Sequence, residues 1–129
     1  MTPPETVLLV EYVQACCPAQ VIGEYTSDAW HDLLGDLSLA DCKAAVAEVA
    51  KAKPFVAASD IRAEVKRVRE ARILAADIPA PPPELTADPA AYGAALHAAR
   101  VAAADGRDPE AAMHLVASQT RREIEAPRD

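Results

Sequence analysis

The stretch from Thr26 to Arg69, TSDAWHDLLGDLSLADCKAAVAEVAKAKPFVAASDIRAEVKRVR, decides the fold class. Apolar residues recur through it at helical spacing, and each run is bounded by a residue that starts or stops a helix. Thr26 or Ser27 offers a hydroxyl to cap a short helix with Ala29, Trp30, Leu33 and Leu34 on its inner face, and Gly35 ends it. Ser38 caps the next helix, where Leu39, Cys42, Val46, Val49 and Ala50 form one stripe until Pro54, which has no N–H to continue the ladder. The following turn is expected to return Phe55 to the core. Ser59 then opens a basic helix, with Asp60 in its first turn and an apolar line of Ile61, Val65 and Val68.

Upstream, Pro3 and Pro4 suit the first turn of a helix over about residues 3 to 17, stopped by Pro18. Leu9, Val13 and Cys16 share its inner face, with Leu8 and Tyr12 beside them. Downstream, Pro79 to Pro89 reads as a linker, because consecutive prolines favour extended backbone over helix. Asp88-Pro89 and Asp108-Pro109 each pair an N-cap with a proline at the first helical position, predicting helices over 89–104 and 109–122, divided at Gly106. Their apolar faces are thin: Tyr92, Ala95, Leu96 and Ala99 on one, Ala112, Leu115 and Val116 on the other. The expectation is an all-α protein with a compact four-helix domain over 1–77, a proline-rich linker over 78–88 and a helical, partly frayed tail over 89–129.

The formal charge of −7 argues against a whole-molecule grip on nucleic acid, which needs clustered Lys and Arg. Hydrophobic residues make up 51% of the chain but aromatics only 4%, so the core is small and aliphatic. The three cysteines, Cys16, Cys17 and Cys42, lack CxxC spacing and fit a reduced, cytoplasmic setting. No run approaches the roughly 20 apolar residues of a membrane span.

Catalytic chemistry is not legible. No GxxxxGK[ST] loop occurs, and Gly23, Gly35, Gly93 and Gly106 are dispersed. His31, His97 and His114 lack metal-ligand spacing, so neither a metal nor a cofactor is expected. His31 and Asp32 are helix neighbours pointing about 100 degrees apart, which does not make a polarised base. Cys42 lies on an apolar stripe and reads as a structural thiol, and Trp30 as the largest core anchor.

Arg62, Lys66 and Arg69 fall within about 60 degrees of one another around the basic helix, forming its cationic stripe. A solvated face is the bland reading of it; a protein interface or weak DNA contact is the functional one. In the tail, Tyr92, Leu96, Leu115 and Arg121 divide in the same way between a loosely packed appendage and a segment that folds against a partner. These seven residues are the candidate partner-binding set.

The order Glu5-Thr6, Ala29-Trp30-His31-Asp32-Leu33-Leu34 with Asp36, Ala40-Asp41-Cys42-Lys43-Ala44-Ala45-Val46, Phe55 and Ser59-Asp60-Ile61 resembles the N-terminal domain of phage helicase loader and inhibitor proteins, of the type found in actinobacterial phages and prophages. The resemblance spans about residues 3 to 72. It implies a small helical domain followed by a flexible segment that engages a hexameric replicative helicase, holds it inactive and delivers it to an initiator-bound origin, without ATPase activity. The expected role is therefore a non-enzymatic adaptor in phage or prophage DNA replication. Its expected partner is the replicative helicase, with an origin-binding initiator as a further candidate and DNA contact weak or indirect. The alternatives are a small DNA-binding regulator using the basic helix and a phage assembly chaperone.

Overall fold

The computed structural model describes residues 1–125, and these form six α-helices and one 3-10 turn with no strand among them. The helices are α1 (Pro3–Cys16), α2 (Thr26–Leu34), α3 (Leu39–Ala50), α4 (Ala58–Ala75), α5 (Pro89–Ala104) and α6 (Pro109–Glu125), and the 3-10 turn is Pro83–Leu85. The protein is all-α. Residues 126–129 of the expected tail lie outside the described residues.

Local chemistry places most helix ends. Thr2 and Glu5 form a reciprocal capping box, with Glu5 N–H donating to Thr2 Oγ1 at 3.3 Å and Thr2 N–H to Glu5 Oε1 at 2.8 Å. Ser38 Oγ accepts from Asp41 N–H at 3.1 Å, and Asp88 and Asp108 cap α5 and α6 ahead of their prolines. α5 ends in a Schellman motif: Arg107 N–H donates to the Ala102 carbonyl, Gly106 N–H to that of Ala103, and Gly106 takes φ +75°.

Two starts differ from expectation. Neither Thr26 nor Ser27 caps α2, since Thr26 lies inside the helix and its Oγ1 instead accepts from Gly23 N–H at 2.9 Å. α4 begins at Ala58, ahead of Ser59, and the carboxylate of Asp60 reaches back to Ala57 N–H at 3.0 Å while pairing with Lys53 at 3.1 Å. The ionised acid is the stronger acceptor at a helix start and takes the place assigned to the hydroxyl.

The chain divides into two compact units, Met1–Arg67 and Val68–Asp129, so the division falls within α4 rather than at the prolines. In the first unit Leu9, Val13 and Cys17 of the α1 segment meet Leu34, Cys42, Val46, Val56, Ile61 and Val65 in one buried cluster. Trp30 is half-buried at its edge, so the small aliphatic residues, not the indole, fill the centre. Phe55 and Leu33, both expected inside, are 54% exposed; Val56 takes the inward place beside Phe55, and Leu34 the one beside Leu33. In α1, Leu8 is likewise exposed and Thr6 is buried.

The second unit packs α5 on α6 through small residues. Ala91, Ala95 and Ala99 repeat every fourth position along α5 and meet Met113 and Ala117 of α6 with Leu85 of the 3-10 turn. The buried line of α6 therefore runs through Met113 and Ala117, and Leu115, expected on the inner face, is 62% exposed. The proline stretch expected to act as a linker also contributes to this unit, with Pro81 buried and Ile78 packed against the cluster. Proline has no N–H to leave unsatisfied when its ring is covered, which suits this burial.

Candidate partner-binding surfaces

The cationic stripe of α4 is largely engaged in holding the fold. Arg62 donates from Nε and Nη2 to the Leu33 carbonyl at 3.3 and 2.8 Å and forms an ion pair with Asp36. Leu33 belongs to the last turn of α2, whose carbonyls have no helical partner, so the guanidinium satisfies an orphan acceptor at the negative end of the helix dipole. The hydrogen bond that Arg62 donates to Asp36 holds that carboxyl below its ordinary range. Arg69 in the second unit pairs with Asp105 at 2.6 Å, and Arg72 donates to the Ala104 carbonyl at 2.9 Å, a second clamp of a guanidinium on a helix C-terminus. Arg69, then Arg107, pull the Asp105 carboxyl down. Lys66 alone of the three predicted stripe residues is exposed without an ion pair among the described residues.

The tail candidates separate in a similar way. Tyr92 is half-buried against the second cluster, and Leu96 is half-buried on α5. Arg121 pairs with Glu84 of the 3-10 turn, tying α6 to it. Leu115 projects to solvent. Of the seven predicted residues, Lys66 and Leu115 are thus the free ones, and they lie in different units.

Several features of the first unit have no counterpart in the sequence reading. The side-chain amide of Gln20 clamps the backbone of Val56 in both directions, Nε2 donating to the carbonyl at 2.8 Å and Oε1 accepting from N–H at 2.7 Å. This fixes the loop after α1 to the loop before α4. Buried Thr6 donates to the Thr2 carbonyl at 3.2 Å, and its Oγ1 lies 3.1 Å from His31 Nδ1, locking the imidazole between α1 and α2. Gly35 is required there for a steric reason: a Cβ would sit 2.6 Å from the His31 carbonyl oxygen and 3.2 Å from the ring.

Beside that imidazole an open groove of about 690 Å³ runs between the start of α1 and the face of α2 formed by residues 27–32. Pro3, Pro4 and Val7 form one wall; Asp28, His31 and Asp32, with Ser27 at the end, form the other. One signal for it was present in the sequence. Residues 1–42 contain seven Asp and Glu but no Lys or Arg. The ammonium of Met1 donates to the Gly35 and Leu37 carbonyls just past the C-terminal end of α2.

The groups that sequence raised for chemistry sit in ordinary surroundings. Cys42 is fully buried, and burial together with the neighbouring Asp41 pushes its thiol up to about 11, so it stays protonated at neutral pH. Among the described residues no group of three or more His, Cys, Asp and Glu is placed to hold a metal ion, and no helix is long and apolar enough to cross a membrane. No protein-family model, curated protein or solved structure matches the chain.

Proposed function

We propose that this protein is a non-enzymatic adaptor that binds a hexameric replicative DNA helicase and loads or restrains it during phage or prophage DNA replication. The observation that carries the reading is the ordered set Ala29–Leu34, Ala40–Val46, Phe55 and Ser59–Ile61, which resembles helicase loader and inhibitor proteins and falls within one compact helical unit. Exposed Leu33 and Phe55 belong to that set and are available to a partner. The mechanism is stoichiometric: the adaptor binds one helicase state better than another, shifts the population toward it, and an origin-bound initiator competes for release.

The rival reading, a DNA-binding regulator, draws on a stripe whose Arg62 and Arg69 already face Asp36 and Asp105. Phosphate would have to displace those carboxylates. The test is co-elution of the full chain with a purified bacterial replicative helicase, alongside gel shifts on duplex DNA over a salt series. A stable complex and no shift is the expected result. Absence of a complex sinks the adaptor reading, and a shift with a steep salt slope transfers the function to DNA.

A further inference from the structure

We propose that the groove between the start of α1 and the face of α2 formed by residues 27–32 is a docking site for a basic, apolar-anchored segment of a protein partner. The two walls differ in chemistry. Pro3, Pro4 and Val7 present hydrocarbon, with Val7 43% exposed, whereas Asp28 and Asp32 present carboxylates one helical turn apart on the same face of α2. Neither carboxylate has a hydrogen bond or ion pair among the described residues. Like charges at this spacing destabilise a helix, so a cation seated between them relieves a repulsion as well as forming new pairs.

No Lys or Arg side chain of residues 1–42 supplies such a cation, and the ammonium of Met1 is engaged by the Gly35 and Leu37 carbonyls. The first basic side chain of the chain is Lys43, which stands over the Tyr12 ring at 5.0 Å from its centroid, and Arg62 already neutralises Asp36. Two helices begin at the groove, and helix starts ordinarily attract anions. Here Pro3 and Pro4 carry no N–H, Glu5 N–H is bound to Thr2, and the carboxylate of Asp28 in the first turn of α2 opposes the dipole there, which disfavours a phosphate or carboxylate. A nucleic acid is repelled for the same reason. A Lys or Arg side chain matches both walls, since its methylene stem lies on the prolines and valine while its head reaches the carboxylates.

The site is also preformed. His31 is held by buried Thr6 on one side and packed on Gly35 on the other, so its ring is already fixed in the wall and little ordering is needed on binding. The volume, about 690 Å³, takes more than one side chain, which points to a segment rather than a free amino acid. This inference is independent of whether the partner is a helicase.

The test uses the full chain and a fluorescein-labelled amphipathic peptide of Leu and Arg, with the equivalent Leu and Glu peptide as comparison, read by anisotropy at moderate salt. Saturable binding of the basic peptide alone is expected, with amide shifts on titration at Val7, Ser27 and His31. Asp28→Asn with Asp32→Asn should weaken binding about tenfold, the combined effect of two exposed ion pairs. Glu70→Gln with Asp77→Asn removes the same charge from the second unit and should change affinity less than about twofold. Circular dichroism of each variant verifies that the fold is retained. No saturable binding, equal loss from both double variants, or shifts that map away from the groove would each overturn the proposal.

Discussion

The first unit buries Leu9, Val13, Leu34, Val46, Ile61 and Val65 among four helical segments, whereas the second buries Ala91, Ala95 and Ala99 of one helix against Met113 and Ala117 of another. The first excludes water with volume, and its residues interdigitate. The second does so by close approach, since alanine adds little area but lets two backbones draw together, and guanidinium clamps from Arg69 and Arg72 reach the C-terminal end of α5. Both are helical, but they fail differently when altered: one is sensitive to lost methylenes, the other to added ones.

Ile61→Ala offers the largest break in that comparison. Ile61 is fully buried among three other helical segments, so its truncation should cost about 3 kcal/mol, read as a lower urea midpoint by fluorescence of Trp30, the single tryptophan. An unchanged midpoint would mean that the first unit does not depend on volume. Ala95→Leu is the mirror experiment. Ala95 is fully buried on the close-packed face, and the added side chain should destabilise the second unit by about 2 kcal/mol, seen as faster amide exchange in α5. Faster exchange in α3 instead would contradict the separation of the two packing modes.

Gly35→Ala sharpens the contrast on a smaller scale. At a helical φ of −61° alanine would ordinarily stabilise, yet its Cβ meets the His31 carbonyl and ring, so the expected outcome is a loss of about 1 kcal/mol. A raised melting temperature would show that the Thr6–His31 contact is not rigid. Asp105→Asn should produce the smallest effect. Asp105 has its carboxyl depressed by Arg69 and Arg107, so its stabilising contribution is complete above the unfolded carboxylate pKa of about 4 and disappears as pH falls through the lower folded value. The variant should lose a little stability at neutral pH and show a flatter acid limb in amide exchange of α5; an unaltered acid limb would remove the pair from the account.

Helix existence and most helix ends were legible, because they depend on neighbours in sequence. Ser38, Asp88, Asp108 and Gly106 act on backbone groups within a few residues, and the prolines at helix starts work by local geometry. The faces were less legible. A helical period identifies a stripe about as wide as two neighbouring positions, so Leu33 and Leu34 are equivalent until another element selects one of them, and in the turn between α3 and α4 no period distinguishes Phe55 from Val56. The alanine-rich tail read as weakly packed for a related reason: residue size predicts buried area, but not how closely two backbones approach.

The candidate site was the least legible part. Arg62, Lys66 and Arg69 do share a helical stripe, but the acceptors that occupy Arg62 and Arg69 lie 29 and 36 residues away in the chain. The same holds for the groove, whose walls come from the start of α1 and from residues 27–32 of α2, joined across a loop. By itself the sequence determined an all-α chain, its caps and an opening stretch without basic side chains, since these follow from short-range hydrogen bonding and composition. Only the tertiary structure decided which charges are paired, which apolar residues reach solvent and where unpaired carboxylates face a hydrocarbon wall, because each depends on contacts between residues that chain proximity does not bring together.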